Sequence, residues 1–189
     1  MDRAPKIVAF AGSTREGSYN RRLLAVAARM AAERGAEVDV LDLAELEMPL
    51  FSEDLEARGT PESATRFKKA LEAADGFLIS SPEYNSSYPA LVKNAIDWAS
   101  RPAEGEPMLA AFDGKACGLL AASPGGLGGI RMLPQLRQLL SNIGVHVVPT
   151  QFGLGRAHEA FDEAGELVDE RTQASVARVV EQTIEIASR

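Results

Sequence analysis

Residues 7–20 read Ile7-Val8-Ala9-Phe10-Ala11-Gly12-Ser13-Thr14-Arg15-Glu16-Gly17-Ser18-Tyr19-Asn20. An apolar run of strand length breaks at Gly12 into a polar, hydroxyl-rich loop. A helix-period segment follows, with Leu23, Ala27, Met30 and the stem of Arg34 on one stripe and Gly35 as its stop. This is a βα unit with a buried parallel strand. The alternation repeats along the chain. Further strands are expected over 38–43, 76–81, 116–122 and 145–148, the second alternating enough to lie toward an edge. Between them, residues 48–51 and 59–61 read as irregular, and Thr60 is expected to cap a helix with Pro61 in its first turn, running to about 74. A helix after Pro89 buries Val92, Ala95, Ile96 and Ala99 and stops before Pro102; another carries Leu133, Leu136, Leu140 and Ile143 and stops at Gly144. The last helix is expected over 167–187 with Val168, Thr172, Val176, Val179 and Thr183 in register. Strands alternating with helices make a doubly wound α/β fold, and 189 residues without repeat or linker make one domain, 1–189.

Composition narrows the function. Twenty basic against 27 acidic side chains leave a net charge of −7, so phosphate backbones and anionic lipids are repelled and neither nucleic acid nor membrane is an expected partner. One cysteine, Cys117, allows no internal disulfide, and two histidines without a cysteine cluster supply no metal site. The apolar run at 7–11 is far shorter than a signal or membrane segment. A cytoplasmic protein is expected. Cys117 and His146 fall within strands and read as structural; His158 lies in a loop with Arg156 near the end of strand five and reads as a solvated loop residue, with contact to a substrate as the other reading.

In open α/β sheets ligands gather beyond the carboxyl ends of the strands, at the switch in strand order, so the loops after strands one, three and four carry the chemistry. The first combines Ser13, Arg15, Ser18, Tyr19 and Asn20 with a helix N-terminus, a setting for an anion. Ser18-Tyr19 after Gly17 lacks the lysine of an ATP or GTP loop, and two glycines rather than three exclude a dinucleotide fingerprint. A terminal monophosphate remains; a plain helix cap at Ser18, with Arg15 pointing to water, is the other reading. The third-strand loop, Pro82-Glu83-Tyr84-Asn85-Ser86-Ser87-Tyr88-Pro89, offers backbone edges and aromatic walls for a flat heterocycle, or equally a cap at Ser86 or Ser87 with two half-buried tyrosines. After strand four comes Ser123-Pro124-Gly125-Gly126-Leu127-Gly128-Gly129, richer in glycine than a turn requires. Gly126 is expected to let a ring edge approach bare backbone, at positive φ.

These loops, together with Lys93-Asn94-Ala95-Ile96-Asp97-Trp98, resemble the NAD(P)H-dependent FMN reductases, a flavodoxin-like family that includes quinone, azo-dye and chromate reductases. The resemblance covers nearly the whole chain and implies a five-stranded parallel sheet of order 2-1-3-4-5. It implies FMN with its phosphate on Ser13, Arg15, Ser18, Tyr19 and Asn20, and its ring against Pro82, Glu83, Tyr84, Asn85, Ser123, Gly125 and Gly126. Family members commonly carry glycine at the position of Ser86, and their 48–51 loop approaches the flavin from a neighbouring side. Homodimers or homotetramers are usual, with contacts from the helix holding Lys93 to Trp98, although Asp97 and Trp98 read equally well as packing residues. NADPH or NADH is the implied co-substrate and a small molecule the implied acceptor.

Hydride transfer is cofactor chemistry, so no catalytic acid or base is required. A single monophosphate loop, with no second nucleotide motif, favours FMN over FAD. The leading expectation is an oxidoreductase passing a hydride from NAD(P)H through FMN to a quinone, flavin, azo or similar acceptor by a ping-pong mechanism. The runner-up is a flavodoxin-type one-electron carrier, and a third reading is a phosphate-responsive binding module without catalysis.

Overall fold

A computed structural model describes residues 3–189. Five strands, β1 (Lys6–Ala11), β2 (Glu37–Leu41), β3 (Gly76–Ser80), β4 (Ala116–Ala122) and β5 (His146–Leu154), form one parallel sheet in the order β2-β1-β3-β4-β5. This is the flavodoxin-like arrangement, with the strand order reversing between β1 and β3. Among the described residues six helices connect the strands, α1 (Tyr19–Glu33), α2 (Leu43–Leu46), α3 (Glu53–Glu56), α4 (Glu62–Ala73), α5 (Ala90–Ala99) and α6 (Met132–Asn142), and α7 (Glu170–Ala187) follows β5.

Successive side chains of a strand point to opposite faces, and the central strands are apolar on both. Ile7, Ala9, Leu78 and Leu120 join the core beneath α1 and α7, whereas Val8, Phe10, Phe77, Ile79 and Leu119 join the core beneath α4, α5 and α6. α7 comes very close to β4. A Cβ at Gly118 would lie 2.4 Å from Thr183 Oγ1, so only glycine admits the helix there. The buried Thr183 hydroxyl donates to Val179 O at 2.8 Å.

Several boundaries differ from the sequence expectation for local reasons. β2 ends at Leu41 because the Asp42 side chain accepts from Ala44 N at 2.9 Å and starts α2, turning Leu43 and Leu46 into the core. α4 begins at Glu62 with Pro61 at its cap and no side-chain cap bond, so Thr60 does not cap it. The short α2 and α3 were not expected. α7 begins at Glu170 rather than 167, where Asp169 accepts from Thr172 N at 2.7 Å; Leu167 instead bridges Phe161, and Val168 faces outward.

The largest difference is β5, which continues past Pro149 to Leu154. Proline is tolerated on an edge strand. Cys117 pairs with Val147 but Leu119 with Gln151, so the strand bulges at the proline. The Arg137 guanidinium donates to Val147 O at 2.9 Å and Pro149 O at 3.2 Å, bracing the bulged stretch from α6. His146, expected to be structural, lies exposed at the start of this strand.

Candidate functional site

The carboxyl ends of β3 and β4 are tied together by Asn20. Its amide donates to Ala122 O at 2.9 Å, and its Oδ1 accepts from Ala122 N at 2.9 Å and from Ser80 Oγ at 3.0 Å. Gly12 N donates to Ser80 O at 2.9 Å, and Ser81 N to Leu120 O at 3.0 Å. Asn20 is buried, and these bonds occupy its carbonyl oxygen fully. The structure therefore gives it the part of a strut joining α1 to the strand ends.

Above this strut lies a cleft of about 300 Å³ lined by Ser13, Arg15, Ser18, Tyr19, Asn20, Pro82, Glu83, Tyr84, Ala122, Ser123 and Pro124. Its floor is the loop before α1. Ser18 caps that helix, accepting weakly from Arg21 N at 3.5 Å. Among the described residues, the backbone N–H groups of residues 13–17 and of Tyr19 and Asn20 find no hydrogen-bond acceptor. The Arg15 guanidinium has no carboxylate partner among the described residues and lies 5.6 Å from the centre of the Tyr19 ring. Unpaired amides at a helix N-terminus beside an unpaired guanidinium suit a phosphate dianion.

One wall is a tight turn in which Tyr84 and Ser87 exchange backbone bonds of 2.9 and 3.1 Å, with Asn85 and Ser86 at φ +51° and +68°. Positive φ at both central residues marks a type I′ turn, a conformation that favours glycine or asparagine. Tyr84 projects into solvent at 55% exposure, and Asn85 sits at the turn tip outside the cleft lining.

Glu83, expected beside a ring, lines the cleft, but its carboxylate is turned to the start of α6. Its carboxylate accepts from Arg131 Nε at 2.6 Å and from the backbone N–H groups of Arg131 and Met132 at 3.0 and 3.2 Å. Burial pushes its pKa up, but the Arg131 side chain and these two amides outweigh burial and hold it below the ordinary carboxylate range. Gln135 adds a second tie, donating to Ser86 O at 2.5 Å and accepting from Ser87 Oγ at 2.8 Å. Arg131 and Gln135 thus lock the 82–87 loop to α6. Sequence reasoning missed both, because nothing in the local spacing pairs residue 83 with residue 131.

The opposite wall is the glycine loop. Gly125 N donates to Ser123 Oγ at 3.2 Å, whereas the amides of residues 126–129 have no partner among the described residues. The expectation of positive φ at Gly126 fails: its φ is not positive, and a Cβ there would meet nothing within 4 Å. The strained glycines are Gly128 (φ +60°, with a Cβ 2.6 Å from the Gly153 carbonyl carbon) and Gly129 (φ +82°, with a Cβ 2.7 Å from Ala121 Cβ). Gly125 and Gly126 lie just beyond the cleft lining.

The 48–51 loop is buttressed from within the chain. Asn94 accepts from Phe51 N at 2.8 Å and donates to Pro49 O at 2.9 Å, Trp98 Nε1 donates to Pro49 O at 2.7 Å, and the Phe51 ring meets Trp98 edge-on at 5.0 Å. Trp98 is therefore a packing residue. Asp97 pairs with Lys93, and Leu50 at the loop tip is 77% exposed. Cys117 is fully buried, which pushes its thiol up and keeps it unreactive. His158 is exposed and paired with Glu159. Among the described residues no cluster of three His, Cys, Asp or Glu could hold a metal ion, and no helix is long and apolar enough to cross a membrane.

The chain is similar to known proteins over most of its length. The model of the NADPH-dependent FMN reductase family matches residues 5–159. An NAD(P)H-dependent FMN reductase of Pseudomonas aeruginosa is 38% identical over 169 residues, covering 89% of this chain and 87% of its own. An NAD(P)H:quinone oxidoreductase of Solanum tuberosum is also 38% identical, over 181 residues, covering 93% of this chain and 89% of its own. The solved structure of FerB, a flavoenzyme NAD(P)H:acceptor oxidoreductase from Paracoccus denitrificans, superposes with a TM-score of 0.84 at 30% identity, with 97% of each chain covered.

Proposed function

The chain belongs to the NADPH-dependent FMN reductase family, and from that premise we propose that FMN sits in the cleft above Asn20. Its phosphate rests on the loop before α1, and its ring lies between the 82–87 and 123–129 loops. The protein is an FMN-dependent oxidoreductase that draws its electrons from NAD(P)H and reduces quinone- or flavin-type acceptors. The observation that carries the seat is the set of unpaired amides at 13–17, 19 and 20 around Arg15. A dianion there gains charge-assisted hydrogen bonds that the protein leaves unmade.

FMN, when bound, supplies a two-electron carrier that takes a hydride from the nicotinamide and passes the electrons to the acceptor. The protein's part is positioning. Arg15, Ser13 and the α1 amides hold the phosphate end, and Ser18 and Asn20 fix the helix that presents those amides. Pro82, the backbone of Glu83, and Tyr84 form one wall, with Ser123 and the bare backbone of Gly125 and Gly126 opposite. Few side chains roof this arrangement, so donor and acceptor are able to use the same opening in turn, which is the basis for ping-pong kinetics. A homo-oligomer, dimer or tetramer, and a cytoplasmic setting belong to the same reading. The supporting feature for assembly is Leu50, apolar and exposed on a rigidly buttressed loop.

Fluorescence titration of flavin-free protein with FMN and with riboflavin tests the seat. FMN is expected to bind more tightly than riboflavin, and Arg15→Ala to weaken FMN by about 1.5–3 kcal/mol while leaving riboflavin nearly unchanged. Equal affinities of FMN for wild type and variant would show that the phosphate lies elsewhere.

A further inference from the structure

Two arginines, one lining the cleft and one on a segment bonded to the glycine loop, lack a counter-charge among the described residues. Arg15 and Arg156 make no ion pair and no side-chain hydrogen bond among the described residues, whereas Arg131 is neutralised by Glu83. Arg15 belongs to the phosphate loop, but Arg156 has no part in the flavin seat. It follows β5 on a segment laced to the glycine loop: Ser123 N donates to Leu154 O at 3.0 Å, Arg156 N to Gly125 O at 3.1 Å, and Ala157 N to Ser123 O at 3.0 Å. The two strips lie so close that a Cβ at Gly155 would stand 2.6 Å from Gly126 O.

Arg156 itself adopts φ +48°, a conformation unfavourable for any residue with a Cβ. Glycine or asparagine would sit there more easily, so the backbone gives no reason for an arginine. Its backbone is fixed, its side chain is exposed, and the neighbouring Glu159 carboxylate is engaged with His158 at 3.0 Å rather than with Arg156. The result is an uncompensated positive charge on an exposed residue whose backbone is laced to the glycine loop. In a protein of net charge −7 a dinucleotide is repelled by the molecule as a whole, and such a charge converts repulsion into local attraction.

Of the two substrates that must enter this opening, NAD(P)H carries phosphates and a quinone does not. We infer that Arg156 is a phosphate contact for the reduced nicotinamide dinucleotide, an inference that rests on the reading of the cleft as the flavin seat. It selects the electron donor and is indifferent to the acceptor.

The test uses FMN-loaded wild type, Arg156→Ala and Arg156→Lys, titrated calorimetrically with NADP⁺ and NAD⁺ and assayed with NADPH, NADH and a neutral quinone. In Arg156→Ala the Kd for NADP⁺ and the KM for NADPH should rise about tenfold to a hundredfold, the span of a lost charged hydrogen bond. Arg156→Lys should recover part of this, and the KM for the quinone and the FMN content should not move. A loss confined to the 2′-phosphorylated forms places the contact on that phosphate, and an equal loss for NAD⁺ and NADH places it on the pyrophosphate. Unchanged affinity for both dinucleotides would overturn the inference, as would release of FMN by the variant. Failure of the underlying reading is distinguishable, since wild-type protein would then take up no FMN.

Discussion

Ser86 occupies a position that favours glycine. With φ at +68°, next to Asn85 at +51°, it pays the steric penalty of a Cβ in the left-handed region, which asparagine tolerates better. Ser86→Gly should therefore stabilise the protein by about 0.5–1 kcal/mol, relief of strain being partly offset by the greater freedom of glycine in the unfolded chain. Urea unfolding of flavin-free protein measures this, and a destabilised variant would mean that the side chain contributes something the turn geometry does not explain. Single residues also mark where sequence reading stops. Asn20 was legible as a polar group at the right loop, but its part as a strut depends on Ser80 and Ala122, partners supplied by other strands. Glu83 was legible as part of the ring loop, yet its carboxylate is occupied by α6, and only its backbone is left for a ligand.

Between elements, the tie from the 82–87 loop to α6 is electrostatic and should show in acid. The folded-state pKa of Glu83 lies below its ordinary value, so its contribution to stability is present above the unfolded pKa of about 4.3 and disappears as pH falls through the folded value. Stability and FMN retention should therefore drop on acidification below about pH 4 in wild type, and Glu83→Gln should be weaker at neutral pH with a flatter acid limb. Parallel acid limbs for the two proteins would remove Glu83 from this role. The glycine loop divides in a similar way. Gly128→Ala should destabilise the fold by about 1–3 kcal/mol, because its Cβ meets the Gly153 carbonyl at positive φ. Gly126→Val faces open space and should leave unfolding within about 0.5 kcal/mol of wild type while weakening FMN about tenfold or more. Full FMN affinity in that variant would make the loop a turn and nothing else. The run of glycines was plain in the sequence; which of them the fold requires was not, since that depends on how closely Gly153 and Ala121 approach.

Across the whole molecule, strand and helix periodicity made the alternating α/β pattern legible, and β4 falls at the expected residues because it is apolar on both faces. β5 was cut short at Pro149 because an edge position and the carbonyl-capping Arg137 are tertiary facts, invisible in a local run. The three ligand loops were legible together because a parallel sheet delivers the ends of β1, β3 and β4 to one place whatever the details of each loop. The central claim is that this place works as an enzyme's flavin seat and not as that of a one-electron carrier, and anaerobic titration of the FMN-loaded protein with NADPH or NADH, followed by a quinone, tests it most directly. The account predicts that the nicotinamide bleaches the yellow flavin absorbance in a single two-electron step and that the quinone restores it. FMN that stays yellow with both nicotinamides, yet is reduced by dithionite, would contradict the account.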